Sequence, residues 1–302
     1  MTAAPLARRC RLGALVVALA AAGAGAAIAS ARPLWFDEIF TYHIAAQPTV
    51  GALIDVLGPM DPNPPLHYLL VRAAHGPLGA SALTTRLPAL LAYLATSALV
   101  FALVAPRAGP VVALAAVACL PLTKAFDHAY EARPYSLVLA CAAAALLGWQ
   151  AAAAGRWRRA GLFGLFASLA IAAHAHFYAF LVVVPIAVGE AVRTVTRRRL
   201  DLPVWTAMAA AGVVALPLLP LLRECLAVRA HFWAAPSRPV GWTLEVQADA
   251  LDREVPVLGG LHRGLLRAAT SEERRSASQA VGRRGVPAER REGSWRGARG
   301  GR

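Results

Sequence analysis

Cysteine is scarce in this chain. Four occur among 302 residues (Cys10, Cys119, Cys141 and Cys225), far apart and never as a CxxC pair. That excludes a disulfide framework and a thiolate metal site. No repeat of solenoid period is present, which excludes a stacked-repeat architecture. Acidic residues are outnumbered, 17 against 31 Lys and Arg, leaving a formal net charge of +14. In a soluble protein this excess would point to nucleic acid. Here the Arg residues fall in clusters between apolar runs and along 252–302, the pattern of cytoplasmic loops drawn to anionic lipid. Nucleic acid is therefore not an expected partner, and membrane lipids are.

Apolar residues are what the chain has in plenty: 58% of it is hydrophobic, with a mean hydropathy of +0.51. Long apolar stretches of this kind are membrane spans. The first runs from Leu12 to Ala29 behind Arg8, Arg9 and Arg11. Ala29-Ser30-Ala31 resembles a signal-peptidase site, but the run has the roughly 20-residue length of a spanning helix, and many spans follow, which favours an uncleaved helix. The Arg cluster holds the N-terminus in the cytoplasm. Further spans are expected at Leu87–Ala105, Val111–Phe126, Tyr135–Gln150, Leu162–Ala173, Phe177–Val192 and Val204–Leu222, for a total of about seven, each loop assigned to the cytoplasm being basic. The expected fold is an all-α membrane protein, a polytopic bundle over residues 1–235. A polar, Arg/Gly-rich tail over 236–302 buries too little apolar surface to offset its ordering and is read as disordered. A frame change or truncation in the gene would account for that tail, as would a surface-binding role; the first is preferred.

Residues 32–85 form a long first extracytoplasmic loop. Near-helical apolar spacing from Ile39 to Leu57, broken at Gln47-Pro48, predicts a helix lying along the interface. Pro64 and Pro65 are suited to start a helix rather than sit inside one, so a second short helix is expected over Leu66 to Ala74. The polar residues collect on this face. Asp37, Glu38, Asp61 and His67 lie in the first loop, Lys124, Glu131 and Arg133 in the second, and His174 and His176 in the third. Acids this close to a membrane segment are costly unless hydrated, paired or used. A carboxylate can act as general base toward a hydroxyl or amine, and Arg or Lys can hold a phosphate. Together they suit transfer of a group from a lipid phosphate to an acceptor at the outer face. His174-x-His176 supplies too few ligands for a zinc site.

The ordered set Phe-Asp-Glu, Pro-Pro-Leu-x-Tyr-Leu-Leu, Arg86-Leu87-Pro88, Glu-Ala-Arg-Pro-Tyr-Ser-Leu and His-x-His-Phe-Tyr resembles the GT-C membrane glycosyltransferases of the protein O-mannosyltransferase and aminoarabinose transferase type, over about residues 10–235. The resemblance implies a polyprenyl-phosphate-linked sugar donor, an inverting displacement, and a lipid, glycan or protein acceptor at the plasma membrane. It places the family's first-loop acid at Asp37, the base or acceptor-binding residue, with Glu38 beside it. Glu131 and Arg133 fall at the donor phosphate. It names no certain cofactor and leaves a divalent metal open. Asn63 stands where many relatives have His before the proline pair, and the polar tail stands where relatives continue with further spans. The rival readings are a transporter or flippase and an inactive truncated transferase. The first expects polar residues within the spans, where this chain has mostly Ala, Leu and Val.

Overall fold

The computed structural model describes residues 3–155 and 157–228; the expected tail at 236–302 and the boundary at 235 lie outside them. Among the described residues the structure is helical and has no strand. In chain order the helices are α1 (Ala3–Ala31), α2 (Phe36–Ala45), α3 (Val50–Met60), α4 (Leu66–Leu78), α5 (Ala82–Ala108), α6 (Pro110–Cys119), α7 (Lys124–Asp127), α8 (Tyr135–Ala153), α9 (Arg158–Ala175), α10 (Phe180–Arg197), α11 (Leu202–Val214) and α12 (Leu219–Val228), with short 3₁₀ turns at four of the breaks.

Five segments are long and apolar enough to cross a membrane: Pro5–Ala31, Ala82–Ala108, Tyr135–Ala153, Phe177–Arg197 and Leu202–Ala227. The pair Pro110–Leu122 and Lys124–Tyr130 adds a sixth if its 63° bend belongs to one span. The chain is a multi-pass membrane protein. Its apolar side chains face outward, with Leu12, Leu15, Val16 and Leu19 of α1 all more than half exposed, as suits a lipid solvent. Of the about seven expected spans, five pass outright on length and apolarity and a sixth only across its bend, for two physical reasons. Val111–Phe126 breaks at Leu120–Thr123, where Pro121 removes a helix donor. The expected span Leu162–Ala173 lies inside α9, a helix of 18 residues that is not among the sufficiently apolar segments.

What α9 lacks in hydropathy it gains by packing. A Cβ at Gly148 of α8 would come within 2.6 Å of the Leu165 backbone nitrogen, and one at Gly161 of α9 within 2.6 Å of the Ala152 nitrogen. Only glycine lets the two backbones meet this closely, the small-residue device of membrane helix pairs. Around that crossing lies a core of Ala145, Leu165, Leu169, Ile186, Val204 and Met208. Charge closes this end of the bundle. Arg158 donates to Asp201 at 2.5 and 3.2 Å, and Arg193 donates to Asp201 at 2.9 Å and to the fully buried Glu190 at 2.7 Å. Trp149 Nε1 donates to the other Glu190 oxygen at 2.8 Å. Two cations and two anions thus cancel where α8, α9, α10 and α11 converge.

The first loop is a layer of three helices with its own small core of Ile44, Leu53, Leu57 and Tyr68. The break expected at Gln47-Pro48 separates α2 from α3, and Thr49 caps α3 by accepting from the Ala52 N–H at 3.1 Å. The helix after Pro64-Pro65 runs further than expected, to Leu78. Its Arg72 reaches back to the C-terminal end of α2, donating to the Ala45 carbonyl at 3.4 Å and to the carbonyls of Gln47 and Pro48 just beyond it, a favourable place for a cation. This layer sets Asp37 and Asp61 beside the segment 131–135.

Candidate functional site

Asp37 and Glu38 occupy the first turn of α2, where carboxylates complement the helix dipole. Successive helical positions are about 100° apart, so the two side chains diverge. Glu38 turns inward and is fully buried. Its carboxylate accepts from Arg86 Nε at 2.8 Å and Nη2 at 2.5 Å, from the Ala132 N–H at 2.7 Å and from the Trp35 N–H at 3.2 Å. Arg86, 1% exposed, spends its other donors on the carbonyls of Ala29 at 2.6 Å, Arg32 at 2.9 Å and Pro33 at 3.0 Å. All five N–H groups of the guanidinium are engaged. This buried pair fastens the end of α1, the start of α2, the first turns of α5 and the loop at Ala132 to one another. Glu38, expected beside Asp37 as part of the catalytic pair, is instead saturated and shielded from any substrate.

Asp37 turns the other way and keeps a third of its side chain exposed; its Oδ2 lies 3.7 Å from Arg133 Nη2. Asp61 approaches the same guanidinium from the turn before Pro64-Pro65, with Oδ2 3.5 Å from Arg133 Nη1. Arg133 is thus held between two carboxylates from different parts of the first loop, both at long ion-pair distances. Asp61 also accepts from Tyr68 Oη at 2.7 Å and from Asn63 Nδ2 at 2.5 Å. Burial works against the charge on Arg133, but Tyr135, Asp61 and Asp37 outweigh it and raise its pKa. Burial, then the neighbouring Asp61, pushes the Tyr68 phenol well up, so it stays a proton donor to that carboxylate.

Two imidazoles line the other side. His67 is 2% exposed and neither ring nitrogen makes a hydrogen bond of good geometry. Burial drives its pKa down to about 4; the Ala132 backbone opposes this, and Arg133 and His176 add to it. His176 is likewise held down to about 4 by burial and then by Arg133, with Asp61 opposing. Its Nδ1 accepts from the Tyr178 N–H at 3.0 Å, which assigns the ring proton to Nε2. The Tyr135 ring lies between these groups, 5.3 Å from the His176 ring and 5.8 Å from the Arg133 guanidinium. Arg133 Nε is also buried without a partner among the described residues. Buried polar atoms are almost always satisfied; here Arg133 Nε–H and one nitrogen of the neutral His67 ring could donate to a ligand, and the other His67 nitrogen could accept from it.

The remaining expected residues lie apart. Glu131 pairs with His128 Nδ1 at 3.2 Å rather than with Arg133. Lys124 is 87% exposed and pairs with Asp127 at 2.8 Å. His174 sits within α9 with Nδ1 2.9 Å from its own helix carbonyl at Ala170, away from His176. Among the described residues no three His, Cys, Asp or Glu side chains converge as metal ligands. Sequence reading gave Tyr68 and Tyr135 no role, and Asn63 only as a residue standing in place of a histidine. The signal that would have found the first is the Pro64-Pro65 turn, which folds Tyr68 back onto Asp61, seven residues earlier.

Neither a curated protein nor a solved structure matches the chain. A family model described as dolichyl-phosphate-mannose-protein mannosyltransferase matches residues 62–222, more than half of the chain. The match takes in Asn63, His67, Tyr68, Arg133, Tyr135 and His176. With these motifs set on a bundle of membrane helices, the chain belongs to the dolichyl-phosphate-mannose-protein mannosyltransferase family, membrane glycosyltransferases of the GT-C type.

Proposed function

We propose that the protein transfers a sugar from a polyprenyl-phosphate-linked donor to an acceptor outside the cytoplasm, with inversion at the anomeric carbon and Asp37 as base. The observation that carries this reading is Arg133, set between Asp37 and Asp61 at 3.7 and 3.5 Å beside two imidazoles of lowered pKa. The site sets side by side a carboxylate reachable from solvent and a buried guanidinium with an orphan N–H.

In this mechanism the donor's phosphate takes hydrogen bonds from Arg133, whose planar fork suits phosphate oxygens. Asp37 is then released to an acceptor hydroxyl or amine. The acceptor oxygen or nitrogen attacks the anomeric carbon from the face opposite the phosphate while Asp37 takes its proton. The bond from the anomeric carbon to the phosphate oxygen breaks, and the polyprenyl phosphate leaves with the electron pair. Developing negative charge on that phosphate is met by the guanidinium in a site with little water, where such stabilisation is largest. His67 and His176, neutral at physiological pH, donate to phosphate or sugar oxygens without adding charge. Asp61, fixed by Tyr68 and Asn63, orients Arg133. In this reading the basic clusters at Arg8–Arg11, Arg158–Arg159 and Arg197–Arg199 lie in the cytoplasm with the N-terminus, α9 and α10 cross the plasma membrane between the last two, and the site faces outward. The acceptor is a lipid, glycan or protein.

Turnover of polyprenyl-phosphate mannose by the purified full chain is compared with that of Asp37→Asn. A loss of 10²-fold or more in the variant is expected, the usual contribution of a positioned base. Equal rates would remove Asp37 as the base.

A further inference from the structure

Toward the start of α9, at the end opposite His176, α9 and α11 flank an apolar groove of about 500 Å³. Its walls include Leu162, Phe163 and Phe166 of α9 and Pro203, Ala207 and Ala210 of α11. It extends over Leu202–Ala210, about 12 Å of helix axis. That is close to the depth of one leaflet, about half of a hydrocarbon core roughly 30 Å thick.

Charge marks one end of the groove only. Arg159 stands three, four and seven residues before Leu162, Phe163 and Phe166, so all four lie on one face of α9. The side chain of Arg159 is exposed and, among the described residues, makes no ion pair. Arg198 and Arg199, just before α11, are exposed and unpaired in the same sense. Their neighbours Arg158 and Arg193 differ, being neutralised by Asp201 and Glu190. Trp157, 74% exposed, sits at the same end, where an aromatic ring anchors at the headgroup level. Asp201 and Glu190 already pair with Arg158 and Arg193, so the exposed Arg159 is available to a lipid phosphate.

We propose that this groove seats one anionic phospholipid of the bilayer, its acyl chain along α9 and α11 and its phosphate on Arg159. A one-leaflet slot with an uncommitted guanidinium at its mouth fits such a lipid in both length and charge. A neutral phospholipid would gain the slot but less of the cation. The site is independent of the transfer chemistry proposed above and would keep the α9–α11 seam filled in the membrane.

The test is native mass spectrometry of the detergent-purified full chain titrated with dioleoyl-phosphatidylglycerol or dioleoyl-phosphatidylcholine. One phosphatidylglycerol is expected to be retained in preference. Arg159→Gln lowers that retention about fivefold, the factor equivalent to roughly 1 kcal/mol for one basic side chain near a lipid surface. Arg159→Lys keeps most of it, and Ala210→Trp, which fills the slot, abolishes it. Arg107→Gln, at the exposed end of α5, leaves retention unchanged. Equal retention of both lipids, or a preference untouched by Arg159→Gln, overturns the proposal. Loss in Arg159→Gln with no effect of Ala210→Trp overturns the seated chain and leaves a headgroup contact alone. Arg159 is exposed, so its variants fold, and helical circular dichroism checks that Ala210→Trp does.

Discussion

Two neighbouring carboxylates have opposite fates. Glu38 is buried, bidentate to Arg86 and saturated by two backbone N–H groups. Asp37 is part exposed and touches Arg133 only at 3.7 Å. The Glu38 region has short bonds and no spare donor; the Asp37 region has long ion pairs and three orphan nitrogens. A saturated pair holds a structure, whereas an under-satisfied cluster is ready to receive a ligand. The first region positions the second, because Glu38 is next to Asp37 in the first turn of α2 and accepts from the N–H of Ala132, the neighbour of Arg133.

The sharpest way to break this comparison is at Arg86. Arg86→Met strands the Glu38 charge in a buried site, which costs about 3–5 kcal/mol. Little folded protein should survive detergent extraction, as size-exclusion chromatography would show. Arg133→Gln should do the reverse, lowering turnover of the lipid-linked sugar by 10²-fold or more with a melting temperature close to the parent's. If Arg133→Gln instead unfolds the protein, the division between holding and receiving regions is lost.

The imidazoles sharpen the contrast through pH. His67 and His176 have folded-state pKa values of about 4 against 6.5 unfolded. Their folded forms are neutral, so the stability they permit is complete above pH 6.5. It falls as the pH drops from 6.5 towards 4, by about 3 kcal/mol for each at the bottom of that window. A melting temperature that declines over this range, with part of the decline removed by His67→Gln, is expected.

Smaller effects belong to the packing. Gly148→Ala puts a methyl against the Leu165 backbone and should cost about 1–3 kcal/mol, read as a lower melting temperature. Lys124→Ala, at an exposed pair, should change stability by less than about 1 kcal/mol.

The bundle was largely legible because hydropathy is written locally. At α9 hydropathy is the weaker guide and the support is non-local: Gly148 and Gly161 let backbones touch, which no window of one helix records. In the site, Asp37, Asp61 and Arg133 stand out as charges beside membrane segments, and the structure brings them together. The Glu38–Arg86 pair bridges 48 residues of sequence, and nothing at either end announces its partner. Glu38 resembled its neighbour in composition, and only the 100° step of a helix separates their surroundings. Tyr68 and Tyr135 were passed over because aromatic residues at span ends are ordinary anchors, and burial beside a guanidinium is a property of the fold alone.

The Glu38–Arg86 pair joins four stretches of chain at once, so damage to any of them is shared by the others. Removing Glu38 alone leaves an orphan cation, and removing Arg86 alone leaves an orphan anion. Replacing both with neutral groups of similar size leaves neither. The double replacement should therefore hurt less than the two single ones added together, a non-additivity that measures how tightly this part of the molecule acts as one unit.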